Sequence, residues 1–398
     1  MFLFAAATLT PFLLILAAAF AGGPWGWLAL GYITVLVFVL DRVIAPQWHN
    51  RDPEAEFPAA DGLLLVLAAL HLVVLGVAIW AVAGASGLDP VERGLVALTS
   101  ALAFGQISHP VAHELLHRPA RHLHLLGKLV YASILFGHHA SAHLRVHHLH
   151  VGSKRDPNSA RWGEGFWRFA WRAWPGSFMA GLHAENRLRQ SVRGQHRLHP
   201  YLLYLALTLL VAALAVGLAG PAGLPALLLI SLYSQIQILL SDYVQHYGLR
   251  RGTQANGRLE PVGPQHSWNA PCFFSSAMTL NAPRHSDHHV TPARPYPALQ
   301  MRRTDMPVLP YPLPVMAVLA LVPALWRRIM DARCAPWQTA TARNLSPTAA
   351  AGPESGGRPG ADLSKSRHVD PDDHPLPESE RSCTPRGAGR RSDERRGV

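Results

Sequence analysis

Histidines occur in four clusters whose spacing suits metal binding. HELLHR at 113–118 has two imidazoles four residues apart, HLRVHH at 143–148 repeats this arrangement with an extra ring, and RHSDHH at 284–289 adds three more. A further histidine lies in DYVQHYGL at 242–249. Residues four apart share one face of a helix, so such pairs can bind one ion. The candidate ligands are His113, His117, His143, His147, His148, His246, His285, His288 and His289.

This number of imidazoles exceeds what one ion accepts, since zinc takes about four ligands. The sequence therefore predicts two metals. Neutral nitrogen donors without cysteine suit iron, copper or zinc, and dioxygen chemistry in a membrane favours iron. Cys272, Cys334 and Cys383 are widely separated and form no C-x-x-C pair, which argues against a disulfide framework and against a zinc or iron–sulfur site built on thiolates.

Apolar residues are concentrated in blocks instead of being spread along the chain. Each block is close to the ~20 residues that a helix needs to cross a bilayer. The first block is expected to be a retained span rather than a signal peptide, because no Arg or Lys precedes it and a second block follows at once. The sequence thus predicts an all-α integral membrane protein with six transmembrane helices. Their expected ranges are 3–21, 25–40, 62–84, 94–112, 201–219 and 222–240.

The net charge of +11 is distributed unevenly between the two sides of the predicted spans. The turns at 22–24, 85–93 and 220–221 carry only Arg93, whereas the long loops are basic. By the positive-inside rule, the long loops, both termini and the histidine clusters are expected to be cytoplasmic. An anionic lipid leaflet is a simpler partner for these loops than nucleic acid. The basic residues next to the spans are Arg118, Arg121, Lys128, Arg187, Arg189, Arg193 and Arg197.

The membrane-bound domain is expected to cover 1–335. Residues 336–398 are rich in Ser, Pro, Gly, Arg and Asp, a composition that predicts a disordered cytoplasmic tail. The stretch 306–326 is apolar but contains five prolines. Proline removes backbone hydrogen bonds that lipid cannot replace, so a surface-lying or re-entrant segment is expected, with a seventh span as the alternative.

HELLH also matches H-E-x-x-H, the zinc-protease signature in which Glu114 would be the general base. An intramembrane zinc metalloprotease has no use for the further histidine clusters, so this function is a remote alternative. Glu114 is instead expected to orient a metal-bound imidazole through its ring N–H. Asp287 is given the same role, with a turn-capping role equally open.

These motifs resemble those of the integral-membrane alkane 1-monooxygenases (alkane hydroxylases), a branch of the fatty-acid-desaturase-like histidine-box proteins. HELLHR is similar to their first box, HLRVHH to their second, DYVQHYGL to their HYG motif and RHSDHH to their last box. The resemblance covers roughly residues 60–330. It implies six spans and a cytoplasmic-side di-iron centre bound by the nine histidines. Ala142 and Val146 stand where this family usually has Glu and Gly, which leaves the substrate preference open.

The implied reaction is hydroxylation of the terminal methyl group of medium- or long-chain n-alkanes to primary alcohols with dioxygen. Trp25, Trp27 and Tyr32 are candidates for limiting the chain length, with interfacial or packing roles as the alternative. A desaturase or hydroxylase acting on a fatty acyl lipid or a methyl-aromatic is the second hypothesis. A metal transporter is disfavoured because the spans carry no series of polar residues.

The reaction needs two electrons that this chain cannot supply by itself. It has no G-x-G-x-x-G fingerprint, and its three cysteines cannot build a four-cysteine iron site. A rubredoxin or ferredoxin with its NAD(P)H-dependent reductase is therefore the expected partner. The arginines expected to receive it, which could equally bind anionic lipid, are Arg155, Arg161, Arg168, Arg250 and Arg251.

Overall fold

The computed structural model describes residues 1–50, 52–191, 198–254 and 256–344, with side chains described up to Gln338. Within these ranges the regular structure is helical, and extended pairing is limited to two isolated bridges, Thr253 with Leu259 and Asn269 with Val308. The predicted all-α class is confirmed. Arg193, His196 and Arg197 lie outside the described residues.

Thirteen helices follow one another along the described chain, and three of them contain a turn of π-helix. The π turns are Tyr32–Leu36 in α2, Phe104–Ser108 in α4 and His143–His147 in α6. The helices are α1 Phe2–Ala21, α2 Trp25–Val43, α3 Pro58–Val82, α4 Pro90–His117, α5 Arg121–Ser133, α6 138–150, α7 Phe166–Ser191, α8 Pro200–Ala219, α9 Gly223–His246, α10 Phe273–Met278, α11 His285–Val290, α12 Leu313–Ala320 and α13 Pro323–Asn344.

Five helical segments in the described chain are long and apolar enough to cross a membrane, and this is an integral membrane protein. They are α1, α2, α3, α4 and the stretch Pro200–His246, which holds both α8 and α9. A short 3-10 turn, Gly220–Ala222, separates these last two helices. A Cβ at Gly223 would lie only 2.0 Å from the carbonyl oxygen of Ala215, so α8 and α9 are in close contact at this turn.

Local sequence signals fix the beginning of α4, the helix that carries the first histidine pair. Asp89 accepts hydrogen bonds from the backbone N–H groups of Val91 and Glu92, at 2.7 and 2.9 Å. Glu92 in turn accepts from the backbone of Asp89 at 3.0 Å, completing a capping box in front of Pro90. Because Glu92 also accepts from Gly23 at 2.6 Å, the cap ties α4 to the turn between α1 and α2.

The interior of the helical bundle is apolar, and the buried His71 is hydrogen-bonded at both ring nitrogens. Leu64, Leu67 and Phe104 are buried where α3 and α4 meet. His71 lies beside them, and its two ring nitrogens are each 2.8 Å from a serine hydroxyl, of Ser108 and Ser133. This satisfies its polar atoms, as a membrane interior requires.

The C-terminal helices fold back against α9. The apolar stretch 306–326 contains the whole of α12, whose 8 residues span about 12 Å, much less than the ~30 Å core of a bilayer. Helix α13 is anchored by Trp326, whose ring lies 5.1 Å from that of Tyr243, and by a 2.5 Å bond from the Tyr247 hydroxyl to Asp331. It runs past the predicted 335/336 boundary, and residues 345–398 of the predicted tail lie outside the described residues.

Candidate metal centre

Imidazoles from four helices meet at one end of the bundle. The ends of α4 and α9, the π turn of α6 and the short α11 contribute them, and they include all nine histidines selected from the sequence. They form two groups, and in each group the ring nitrogens lie within 4.8 Å of one another. The five-histidine group is His113, His117, His143, His148 and His288; the four-histidine group is His147, His246, His285 and His289.

The Nε2 atoms of the five-histidine group converge on a common point. Nε2 of His143 lies 3.1 Å from that of His117 and 2.9 Å from that of His148. Nε2 of His288 lies 3.2 Å from that of His148, and Nε2 of His113 is buried without a hydrogen-bond partner. Five ring nitrogens, each able to donate a lone pair to a metal ion, therefore surround one point.

The four-histidine group has the same inward orientation. Nε2 of His285 lies 3.0 Å from that of His246 and 3.1 Å from that of His289. Nε2 of His147 is buried and has no hydrogen-bond partner. Nitrogens bound to one ion at about 2.0–2.1 Å stand about 3.0–3.4 Å apart, which matches these separations in both groups. The donor sets fit two metal ions.

A π-helical turn explains how HLRVHH serves both groups. In a regular α-helix the residues on one face are four apart, which would pair His143 with His147. The π turn His143–His147 widens the helix to i→i+5 hydrogen bonding, as π turns often do at functional sites. His143 and His148, five apart, consequently share the five-histidine group, while His147 belongs to the other group.

Most of these imidazoles are held in the neutral form that metal ligation needs. Burial, together with neighbouring imidazoles, holds the pKa of His143, His148 and His288 well below the usual value near 6.5. The same causes lower the pKa of His285 and His289. At neutral pH each of these rings therefore has one unprotonated nitrogen whose lone pair can bind a metal ion.

His147 has a carboxylate partner that the sequence reasoning missed. Its Nδ1 lies 2.9 Å from Asp156, so burial, which lowers the pKa of His147, is outweighed by the carboxylate, which raises it. Asp156 is itself held by Ser159 at 2.6 Å and by the backbone of Asn158 at 3.0 Å. This arrangement fixes the ring with Nε2 pointing at the four-histidine group. In the sequence, the only sign of this contact is that an acidic residue, Asp156, lies nine positions after His147.

Glu114 and Asp287 do not make the contacts that were predicted for them. Glu114 accepts from the backbone of Tyr296 at 3.2 Å and pairs with Arg118 at 3.4 Å, one turn along its own helix. Asp287 pairs with Arg294 at 2.5 Å instead of with an imidazole. The physical reason is that each carboxylate has another partner. Asp287 forms a charge-assisted bond with Arg294. Glu114 is occupied by the backbone N–H of Tyr296 and lies near Arg118, which pairs more closely with Asp61 at 2.8 Å.

A small cavity of about 20 Å³ borders the histidines. Its wall includes His113, His143 and His288 of the five-histidine group and only His285 of the other. Glu114 and Asp242 also line it, and His109 stands at its edge.

A larger and mostly apolar cavity of about 200 Å³ adjoins the small one. The two cavities share four lining residues, His109, Pro110, Ser241 and Ala282. The larger cavity lies among α2, α4, α9 and α12, with Val37 and Val318 on its wall.

The residues expected to limit chain length do not line this cavity. Trp25 and Trp27 are 39% and 60% exposed, and the Tyr32 hydroxyl bonds the backbone of Ala6. The α2 residues on the cavity wall are Ile33, Thr34, Val37, Phe38 and Asp41. The cavity thus uses the part of α2 that follows Tyr32.

A helical membrane protein with two groups of convergent imidazoles and no cysteine in either group is a histidine-cluster metalloprotein. The fatty acid desaturase family matches residues 93–340 of this chain. Alkane 1-monooxygenase 2 of Pseudomonas aeruginosa is 30% identical over 77% of this chain and 83% of its own length. Alkane 1-monooxygenase 1 of Alcanivorax borkumensis is 30% identical over 76% of each chain.

A third relative has a different substrate in its name. The xylene/toluene monooxygenase hydroxylase component XylM of Pseudomonas putida is 26% identical over 77% of this chain and 81% of its own length. With these matches, the chain belongs to the alkane 1-monooxygenase family, within the fatty acid desaturases, and is an oxygenase.

Proposed function

We propose that this protein is a non-haem di-iron monooxygenase that converts n-alkanes to primary alcohols by hydroxylating the terminal methyl group. The observation that carries the proposal is the junction of the apolar cavity with the small cavity at the five-histidine group. An alkane taken from the lipid is bound by apolar contact alone, and this cavity supplies such contact. The relatives named alkane 1-monooxygenase support the same substrate class.

Iron is the metal that best combines all-imidazole ligation with dioxygen chemistry. The nine histidines would hold two irons, five around one and four around the other. When bound, iron supplies the activation of dioxygen, so that one oxygen atom enters a C–H bond and the other leaves as water. The task of the protein's own residues is to position the substrate and exclude water.

The shape of the cavity favours attack at a chain end. Helices α4 and α9 approach so closely at Gly105 that an added Cβ would lie 2.2 Å from the side chain of Gln237. Beyond this approach, the apolar cavity meets the histidine-lined one at His109 and Pro110. A linear chain that enters from the apolar side would present its terminal methyl first. Selectivity for that carbon would then follow from position alone.

The proposed topology has six spans, with α8 and α9 crossing separately. The turn Gly220–Ala222 and the contact between the two helices support a hairpin. An even number of spans leaves both termini on the side of the histidine groups. That side also carries the basic loops, so we assign it to the cytoplasm and the protein to a bacterial inner membrane.

The proposed electron donor is a small acidic carrier, a rubredoxin or ferredoxin reduced by an NAD(P)H-dependent reductase. A groove of about 1210 Å³ with a basic wall lies next to the histidine groups. Arg251 in this groove donates to the carbonyl oxygen of Leu149 at 3.0 Å, one residue after His148. Complementary charge would speed the encounter of the two proteins. The basic lining residues are Lys154, Arg155, Arg161, Arg250, Arg251 and Arg258, so Arg168 is not part of this groove.

Hydroxylation of a methyl-aromatic is the second candidate function. The similarity to the xylene/toluene monooxygenase component supports it. Among the described residues that line the apolar cavity, Asp41 is the only acidic or basic side chain besides His109, and its Oδ1 already accepts from the backbone of Phe274 and Ser275. We therefore place acyl-lipid desaturation behind both hydroxylation reactions.

Analysis of the reaction products distinguishes between these functions. The iron-loaded protein in lipid, with rubredoxin, its reductase, NADH and dioxygen, would be given n-alkanes, a methylarene and a fatty acyl lipid together. We expect 1-alkanols carrying one oxygen atom from labelled dioxygen. Benzylic alcohol as the main product would support the second candidate. Alkenes, or peptide cleavage by a zinc-loaded protein, would contradict the proposal.

A further inference from the structure

Arg284 is a buried cation whose hydrogen-bonding capacity is only partly used. It is 4% exposed and directly precedes α11. Its guanidinium donates to the backbone carbonyls of Gln47 at 2.7 Å and Trp48 at 3.4 Å, and its Nε has no hydrogen-bond partner. Since a guanidinium has five N–H donors, most remain available. Asp287, three residues later, forms its ion pair with Arg294.

Arg284 lines an open cavity of about 440 Å³ with an amphipathic wall, which we call the amphipathic cavity. No carboxylate is among its described lining residues, so nothing in the wall neutralises the arginine. The polar part of the wall is formed by Gln47, His49, Asn50, Ser276 and Asn281. The apolar part is formed by Leu3, Phe4, Phe57, Phe273 and Ala277.

The amphipathic cavity lies at the depth where lipid head groups meet acyl chains. Its wall is built from the beginning of α1, the segment after α2 and the residue before α3. The start of one span, the end of the next and the start of a third all lie on one side of a membrane. Leu3 and Phe4 of the apolar wall belong to α1, whereas Phe273 and Ala277 belong to the short α10 and Phe57 directly precedes α3. The cavity therefore joins the end of a span to segments outside the spans, where a lipid has its acyl chain and its head group.

We propose that this cavity binds an anionic amphiphile, with a phosphate or carboxylate head on Arg284 and an acyl chain along Phe4 and Phe57. A buried charge is costly unless it is paired, and a charge-assisted hydrogen bond to an oxyanion is the pairing that a guanidinium forms best. Basic pockets between membrane helices bind anionic head groups in this way. The assignment depends only on the chain lying in a membrane and not on the reaction it performs.

Occupancy should also stabilise the metal centre, because Arg284 is adjacent to His285 of the four-histidine group. The ligand would join the segment after α2 to the start of α11. We therefore expect the thermal unfolding midpoint of the iron-loaded protein to rise when the ligand is present. This readout does not require turnover.

The test uses the iron-loaded protein in nanodiscs of phosphatidylcholine alone, or with phosphatidylglycerol or oleate added. Retained lipid is counted by native mass spectrometry, and the unfolding midpoint is measured in each case. Arg284→Gln should lower retention of the bound amphiphile by about tenfold and abolish the rise in midpoint. A response to phosphatidylglycerol alone assigns a phosphate head group, and a response to oleate alone assigns a carboxylate.

Two further variants keep the test decisive if Arg284→Gln does not fold. Ser276→Asp places a carboxylate in the wall and leaves Arg284 bonded to Gln47 and Trp48, so it should also abolish retention. Lys154→Gln removes an exposed cation in the basic groove and should retain the amphiphile like the wild type. Equal retention by wild type and Ser276→Asp, or no preference of the wild type for either anion over phosphatidylcholine, would overturn the proposal.

Discussion

The two histidine groups are built from the same residue type but differ in access. All members of the four-histidine group are buried, whereas His113, His117 and His148 of the five-histidine group are partly exposed. The small cavity is lined by three members of the five-histidine group and by one of the other. The five-histidine group thus presents more of its rings to the cavity than the four-histidine group does.

The groups also differ in how their rings are supported. Asp156 holds His147 at 2.9 Å, and within the described chain no carboxylate hydrogen-bonds to a ring of the five-histidine group. A carboxylate behind a metal-bound imidazole fixes the ring and increases its basicity. The four-histidine group is therefore the one suited to retaining its ion, and the five-histidine group is the one suited to reaction.

Loss of one ligand from either group should have the largest effect. His246→Ala and His143→Ala each remove an inward-pointing Nε2, so each should abolish hydroxylation and lower iron content. Iron analysis and product yield measure both effects. His199→Ala is the control, because His199 bonds Asn186 and the backbone of Tyr201 outside both groups, and it should be mild. Equal and small effects of His246→Ala and His199→Ala would remove His246 from the site.

Asp156→Asn should weaken the four-histidine group specifically. Loss of the carboxylate behind a ligand typically costs about 10–100-fold in metal affinity, so one of two irons should become easier to remove with a chelator. Asp305→Asn, which changes an exposed partner of Arg302, should leave both irons as firmly held as in wild type. If both irons of Asp156→Asn leave at the wild-type rate, Asp156 does not distinguish the groups.

A bulky residue in the apolar cavity should change substrate length without changing iron content. Val37 lines this cavity, and Val39 on the same helix is 44% exposed and does not line it. Val37→Phe should lower kcat/KM for the longest accepted alkanes by about 10–200-fold and affect short ones less. Val39→Phe should leave the length profile unchanged. Identical profiles for the two variants would mean that the substrate takes another route.

Removal of residues 345–398 should have the smallest effect. Helix α13 is anchored to α9 through Trp326 and Asp331, both before the deletion, and the deleted composition predicts no packed core. Iron content and turnover should remain close to those of the full chain. A truncated protein that inserts normally but no longer oxidises alkanes would give this segment a role.

Much of the helical architecture could be read from the sequence because membrane spans are set by length and hydrophobicity. The predicted blocks coincide with α1, α2, α3, α4, α8 and α9. Helix α4 continues beyond the predicted span 94–112 to His117, so one helical face brings His113 and His117 together. Composition could not predict how α12 and α13 pack against α9, because this packing depends on contacts between distant parts of the chain.

The division of the histidines into two groups could not be predicted from spacing. Regular helical periodicity would pair His143 with His147, and only the π turn places His143 with His148. Asp156 was missed because a loop, not a helical repeat, brings it to His147. The pairing of Glu114 with Arg118 was visible as an i,i+4 pair, and that local attraction should have outweighed the expected contact with an imidazole.

The number of irons and their environments test the central claim most directly. Iron-57 would be added anaerobically to metal-free protein in lipid, and Mössbauer spectra would be recorded for wild type and His246→Ala. The two histidine groups predict two irons per chain in two distinguishable nitrogen environments, with the four-histidine iron reduced in His246→Ala. A single iron per chain, or zinc bound in preference at one site only, would contradict the account.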